Sequence, residues 1–302
     1  MINIRKAVFP VAGLGTRFLP ASKAIPKELA TVVDTPVLQY VVAEARAAGI
    51  EQFIFVSSIG KNALEDHFDR NVQIEAALAA KGRQDLVQSV KDASLGDGEM
   101  IIVRQHAALG LGHAVWCARH AVGDEPFAVL LPDELLMSDP PCLAAMVDAY
   151  QSLNETCEDL AVIATAEIPR ALTRKYGILD PAAPEDANRL TLARGVVEKP
   201  EPAAAPSIMS LIGRYILPGK IFALLENQPR GAGGEIQLTD AIDALIADGL
   251  VFGHRFVGNR YDCGVADGFV RANVAYALNR ADIRKTLIAD LRAMLDAAES
   301  ND

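Results

Sequence analysis

An α/β fold with a mixed, mostly parallel sheet flanked by helices is the class that this 302-residue sequence predicts. Two features predict it. Short apolar runs bounded by turn residues alternate with segments of helical period from residue 6 to residue 167, the rhythm of strands joined by crossover helices. The first of these runs ends in a glycine turn, Gly13 and Gly15, and in such sheets ligands bind at the carboxyl ends of the strands.

Lys6 to Ala12, with Val8, Phe9 and Val11, is apolar enough to be a strand covered on both faces. Thr35-Pro36 reads as a helix start, with Thr as N-cap and Pro at the first helical position. Val37, Leu38, Val41, Val42, Ala45 and Ala48 then share one face until Gly49. QFIFVS, 52–57, is a second buried strand and completes a βαβ unit. Residues 61–98 are more polar and helical in pieces; they carry no catalytic constellation and suit a lid, an oligomer contact or an insertion. The alternation resumes with the strand EMIIVRQ, a loop and helix over LGLGHAVWCARHAV, and the strand PFAVLLPDE. A helix over Pro140 to Leu153 and a strand over Asp159 to Glu167 follow. Ile178 to Leu192 is a strand-loop-strand excursion, and LARGVVEKP and SIMSLIGRYIL are strands separated by PEPAAAPS. LPGKIFALLEN and IQLTDAIDALIADG are amphipathic helices, and VFGHRFV is the last strand before YDCG and two terminal helices.

Composition bounds the function. An apolar fraction of 51% with 23% charged residues is ordinary for a soluble globular enzyme, and a net charge of −10 argues against general nucleic-acid binding. The four cysteines, at 117, 142, 157 and 263, form no C-x-x-C pair and fit small buried hydrophobes better than a zinc site or a disulfide framework. The N-terminus runs straight into a strand, and no apolar run approaches the roughly 18 residues that span a bilayer. A cytoplasmic protein without a membrane partner is the expectation.

After the glycine turn, Arg17, Lys23 and Lys27 follow in a loop stiffened by Pro20 and Pro26. Backbone amides at the turn, an Arg fork and Lys point charges suit a polyphosphate. The glycines alone are a weak signal, because Phe18 stands where a dinucleotide fingerprint has its third Gly, and no phosphate-loop motif occurs. Asp133, at the end of an apolar run, is placed either to hold a magnesium ion or to cap the next helix. Asp262 in YDCG follows a later strand in similar style, and Glu134 is a secondary metal candidate. Glu198-Lys199 closes another strand at Pro200. A Glu can accept from two sugar hydroxyls while a Lys pairs with a phosphate, provided the strand ends there. Gln105, with the turn from Gly110 to His113, could face a base; His113 itself reads as a structural residue at a helix start.

AGLGTRFLPASKAIPKE, from Ala12 to Glu28, resembles the signature of the bacterial sugar-nucleotidyltransferases. Its KAIPKE portion is most like the branch that transfers uridylyl groups. Tyr176-Gly177-Ile178, VEKP at 197–200, GRYIL at 213–217, GGEIQLTDAI at 233–242 and YDCG extend the resemblance to residue 264. It implies a Rossmann-like fold of the nucleotide-diphospho-sugar transferase type. The catalytic domain would span 1–264, with C-terminal helices over 265–302 packed on it or at a subunit interface. It further implies that UTP and glucose 1-phosphate are the substrates and Mg2+ the cofactor. By position, Arg17, Lys27 and Asp133 would be catalytic. Ala12, Gly13, Gly15, Glu28, Gln105 and Gly110 would bind the nucleotide, Gly177, Glu198 and Lys199 the sugar phosphate, and Asp133 with Asp262 the metal. Asp240 is placed less securely. Similar enzymes are homodimers or homotetramers. After Asp-Cys-Gly they often carry a Ser-Lys or Ser-Arg pair, where this chain has Val265-Ala266; the missing cation would weaken phosphate binding or shift substrate preference. A sister enzyme with another nucleotide or sugar 1-phosphate, or a nucleotide-sugar sensor without turnover, are the rival readings.

Overall fold

A computed structural model describes residues 3–153, 159–247 and 249–300. The first strand, β1 (Lys6–Pro10), has Ala7, Val8 and Phe9 fully buried, as its two-sided apolar pattern requires. Its carbonyl end opens into three 3-10 turns, at Thr16–Phe18, Ala21–Lys23 and Lys27–Leu29, and a small ribbon of β2 (Thr31–Val32) and β3 (Thr35–Pro36). Pro36 is the cap of α1 (Val37–Ala47), and Thr35 pairs with Val32 instead of capping the helix. The helix start read from Thr35 is thereby corrected: the ribbon claims its backbone.

The βαβ unit closes with β4 (Gln52–Ser57), parallel to β1 in the register Lys6↔Gln52 to Pro10↔Val56. The polar stretch after it forms α2 (Asn62–Phe68), α3 (Val72–Ala80) and α4 (Gln84–Ala93). Next come β5 (Met100–Arg104), α5 (Leu111–Cys117), α6 (Arg119–Val122), β6 (Phe127–Leu130) and β7 (Glu134–Met137). The element after Asp133 is a strand, so Asp133 caps no helix. Then follow α7 (Cys142–Leu153), β8 (Leu160–Glu167), β9 (Gly177–Pro181), β10 (Leu190–Glu198), β11 (Met209–Leu217), α8 (Ile221–Glu226), α9 (Leu238–Leu245) and β12 (Leu250–Arg255). A strand that the sequence reading passed over, β13 (Asn259–Asp262), precedes α10 (Ala266–Asn279) and α11 (Arg284–Glu299).

Nine strands make one mixed sheet in the order β5-β4-β1-β6-β11-β8-β12-β10-β9. Pairing is parallel across β5, β4, β1 and β6 and again between β8 and β12, and antiparallel elsewhere. The parallel share is smaller than the strand-helix rhythm suggests, because β11 enters between β6 and β8 in the reverse direction. Each face carries its own apolar core. Phe9, Phe53 and Phe55 pack with α1 and α7 on one side, while Val8, Ile54 and Val129 pack with α5, α8 and α9 on the other.

Arg214 sits at the centre of this arrangement and is fully buried. A register shift in β11, with Gly213 at φ 76°, goes with its placement beside Leu130. All five of its N–H groups are used. Nε and one Nη2 hydrogen donate to Glu44 of α1 at 3.1 and 2.8 Å, the other Nη2 hydrogen to the Glu134 carbonyl at 2.7 Å. Nη1 donates to the carbonyls of Leu131 at 3.1 Å and Gly213 at 3.2 Å. Glu44 also accepts from the backbone N–H of Leu143, at the start of α7.

The cysteines described, Cys117, Cys142 and Cys263, are free thiols, with Cys142 and Cys263 buried; Cys157 lies outside the described residues. No helix among the described residues is long and apolar enough to cross a membrane. α10 packs onto the opening loop through Phe269 against Phe18 and Asn273 Oδ1, which accepts from the Val33 amide at 2.9 Å. α11 has no buried residue among those described and leaves Met294 and Leu295 exposed.

Arg214→Leu strands the Glu44 carboxylate and three carbonyls in the interior, so the unfolding free energy should fall by about 3–5 kcal/mol in chemical denaturation. The Glu44→Leu/Arg214→Leu pair should lose less than the single change. Equal losses would mean that the two do not act as a unit.

Candidate active site

A cleft of about 900 Å³ lies where the carbonyl ends of β1 and β6 meet the β7–β13 ribbon. Gly13, Arg17, Lys27, Asp133, Asp262 and Lys199 are among its lining residues. The sequence-predicted residues from both ends of the chain therefore reach one cavity.

The opening turn divides its work between its glycines. Gly15 has φ 66°, and a Cβ there would press on Ser22 at 3.2 Å and Lys27 at 3.3 Å; its carbonyl accepts from the Ser22 hydroxyl at 2.7 Å. That glycine shapes the loop. Gly13 has no such constraint, since a Cβ would meet nothing within 4 Å, and the open space above it is the cleft. Only a ligand would need its bareness. The Ala12 carbonyl is held by the Ser58 hydroxyl at 3.1 Å, which fixes the start of the turn.

Charge converges on Asp133. Lys27 Nζ donates to Asp133 Oδ2 at 2.6 Å, and Arg17 lies 3.9 Å from the same oxygen. Burial works to raise the Asp133 carboxyl, but the charge and hydrogen bond of Lys27, with Arg17 behind it, outweigh it and hold the group below the usual carboxylate range. Asp262 reaches the same place because β13 pairs antiparallel with β7, setting Asp262 opposite Glu134, while the Cys263 amide donates to the Asp133 carbonyl at 2.7 Å. A Cβ on Gly264 would crowd Asp133 Oδ2 at 2.8 Å and Asp262 Oδ1 at 2.9 Å, the latter accepting from the Gly264 amide at 2.9 Å, so the two carboxylates close on this one glycine. Among the described residues no group of three or more His, Cys, Asp or Glu gathers in metal-holding geometry. Two carboxylate oxygens completed by phosphate and water are nonetheless the set that a small hard cation takes.

Glu134 is not part of that set. It is 7% exposed and bound at both oxygens by Arg260, at 2.8 and 2.5 Å. Burial pushes its carboxyl up to about 7, against the pull of Arg260. Arg260 in turn lies over the Tyr176 ring, 4.6 Å from the centroid. Nothing in the sequence singled out Arg260; its position two residues before Asp262, on the same face of a strand, was the available signal.

The β9–β10 hairpin sets Glu198 opposite Gly177. β10 ends at Glu198 and Lys199 takes a left-handed backbone, φ 47°, so the two side chains meet as a pair, Nζ to Oε1 at 2.9 Å. Thr239 of α9 donates to the other Glu198 oxygen at 2.7 Å, and a Cβ on Gly177 would crowd Thr239 and Glu198. Asp240 next to it is raised by burial, then by the charges of Glu198 and Asp243.

Two predicted nucleotide contacts are also tied into the protein. Glu28 is 2% exposed, and both of its oxygens accept from Lys61 at 3.1 and 2.9 Å. Glu28 still lines the cleft, with its carboxylate bound to Lys61 beneath the loop. Lys61, at the head of α2, was not singled out, because residues 61–98 show no motif. Gly110 is a glycine for packing: at φ 112° a Cβ would strike the Ile236 backbone, to which this turn is tied by Gly112 N–H to the Ile236 carbonyl at 2.8 Å. Gln105 is held by the same turn, its Nε2 donating to the Gly110 carbonyl at 3.3 Å and lying 2.9 Å from His113 Nδ1. His113 stacks on Trp116 as a structural residue. Val265 lines the cleft where similar enzymes begin their polar pair, and Arg271, one turn and a half along α10, lines it too.

A mixed sheet with a cation- and carboxylate-lined cleft at its strand ends suits a nucleotide-transferring enzyme class, and the chain belongs to the nucleotidyl transferase family, whose model matches residues 6–279. It is 43% identical over 299 residues to the UTP–glucose-1-phosphate uridylyltransferase of Bacillus subtilis strain 168, covering 99% of this chain and 100% of that protein. The UTP-bound UDP-glucose pyrophosphorylase of Acinetobacter baumannii is 45% identical, with a TM-score of 0.86 over 95% of this chain and 99% of its own. A UDP-glucose pyrophosphorylase solved with UDP-glucose is 36% identical, with a TM-score of 0.80 over 92% of this chain and 100% of its own.

Lys61→Met leaves the Glu28 carboxylate buried without a partner and should cost about 3–5 kcal/mol of stability in thermal or chemical unfolding. Adding Glu28→Gln should return part of it; a single variant as stable as the parent would show that the pair does not hold the loop.

Proposed function

We propose that this protein transfers the uridylyl group of UTP to glucose 1-phosphate, giving UDP-glucose and pyrophosphate. One observation carries the reading. Arg17, Lys27, Asp133 and Asp262 line one side of a single cleft that Tyr176 and Lys199 also line, with Glu198 paired to Lys199 behind it. A nucleoside triphosphate and a sugar monophosphate that must meet need such a two-sided site.

Both substrates are polyanions, so the barrier lies in bringing them together and in the charge that builds on the departing pyrophosphate. Gly13 lets the backbone approach the nucleotide phosphates, and Gln105, fixed by Gly110 and His113, presents its amide to the uracil edge. Glu198 accepts from sugar hydroxyls, and Lys199 neutralises the sugar phosphate. That phosphate is already ionised at neutral pH and attacks the α-phosphorus of UTP without a general base. Lys27 and Arg17 stabilise charge on the α-phosphate and the leaving group. Asp133 and Asp262 would hold Mg2+, which when bound neutralises and orients phosphate oxygens. Lys27 now bonded to Asp133 would then turn its charge toward phosphate. Glu28 braces the loop through Lys61. The exposed face of α11 is the surface assigned to a homodimer or homotetramer, and light scattering on a chain ending before Arg284 tests it.

The deciding experiment is pyrophosphate release across UTP, dTTP, ATP, CTP and GTP with several sugar 1-phosphates. UTP with glucose 1-phosphate should be fastest; preference for dTTP would move the assignment to a sister enzyme, and UDP-glucose binding with no release would make it a sensor. Lys27→Ala should lower kcat by roughly 10²- to 10³-fold. Gly264→Ala should push apart the two carboxylates and lower turnover by roughly 10²-fold with the fold intact by circular dichroism. Chelation of divalent cations should stop turnover reversibly, and activity unchanged in excess chelator would remove Mg2+ from the scheme.

A further inference from the structure

We propose that Arg260 is a substrate-positioning residue that grips the phosphate of the sugar 1-phosphate, an inference that rests on the uridylyl-transfer reading. Arg260 stands between the two halves of the site. It precedes Asp262 by two residues on the same strand face, and its guanidinium lies over Tyr176, whose carbonyl accepts from the Lys199 amide at 3.0 Å. One residue thus adjoins the metal-side carboxylate and the strand end that carries the sugar-phosphate lysine.

Its orientation is fixed from behind. Glu134 takes Nε at 2.8 Å and Nη2 at 2.5 Å, the side edge of the guanidinium. The opposite edge, with Nη1, belongs to a side chain that lines the cleft. A planar fork held along one edge by Glu134, and both stacked on and hydrogen-bonded to Tyr176, keeps one orientation at the cleft wall, where its remaining N–H can meet a phosphate.

Charge accounting points the same way. On the sugar-phosphate side the Lys199 side chain is 44% exposed, and Val265-Ala266 supplies no cation. The other cleft cations, Arg174, Lys175 and Arg271, are exposed and screened by solvent. Arg260 is the sheltered one, with its side chain 15% exposed, where a charge acts through less water. A buried Glu134 serves here as a brace for that cation.

The test compares ligands that differ by the sugar phosphate. Calorimetry should give Glu134→Gln/Arg260→Gln an unchanged affinity for UMP and an affinity for UDP-glucose lower by roughly 10- to 100-fold, the loss of charged hydrogen bonds. KM for glucose 1-phosphate should rise by a similar factor while KM for UTP stays within about twofold. The double change removes both charges, so no buried carboxylate is stranded. Arg260→Lys keeps a cation for Glu134 and should restore part of the UDP-glucose affinity without the full bidentate grip. UMP and UDP-glucose weakened equally, or neither weakened in a folded variant, would overturn the proposal. Absence of pyrophosphate release by the unaltered protein would instead bring down the functional reading on which it stands.

Discussion

The buried pair of Arg214 and Glu44 is the constraint on which the active side of the molecule depends. A guanidinium with no exposure must have every N–H satisfied, and here the acceptors are a helix α1 carboxylate and the carbonyls of Leu131, Gly213 and Glu134. Two of those carbonyls flank Pro132 and Asp133. The segment that delivers the key carboxylate is therefore pinned on both sides by the core of the protein. Glu44 extends the same network to α7 through the Leu143 amide, so two helices and the central antiparallel strand share one charge pair.

From that anchor the site is assembled by strand pairing. The β7–β13 ribbon carries Asp262 across from Glu134 and brings the Cys263 amide onto the Asp133 carbonyl. Lys27 and Arg17 come from a loop braced below by Glu28 and Lys61. The arrangement separates two kinds of ion pair. Glu44–Arg214 is enclosed and holds backbone carbonyls, and Glu28–Lys61 is buried beneath the loop, whereas Lys27, Asp133 and Lys199 line the cleft. Desolvation makes the first kind costly to break, and access to ligand makes the second kind useful.

The sequence was informative where local rules hold. The buried strand at Lys6, the βαβ unit through Ser57, the glycine turn and the strand end at Glu198 all follow from periodicity and turn chemistry, and the structure places them as read. It was misleading where the backbone found another partner. Thr35 had the chemistry of an N-cap but was taken by the ribbon with Val32. The Ile236 backbone, 126 positions along the numbering from Gly110, also demands a glycine there, which local spacing could not show.

By itself, then, the sequence determined the strand and helix rhythm, the glycine turn with its following cations, and the strand end at Glu198. These depend on residue type and short spacing, which any stretch of chain carries with it. Only the tertiary structure decided that Asp133 and Asp262 close on one glycine, that Glu134 is a partner for Arg260 instead of a metal ligand, and that Arg214 holds the loop between them. Those contacts join residues from about 80 to 170 positions apart. Whether a carboxylate meets solvent, a cation or another carboxylate is set by which strands pair, and strand pairing is a property of the folded sheet.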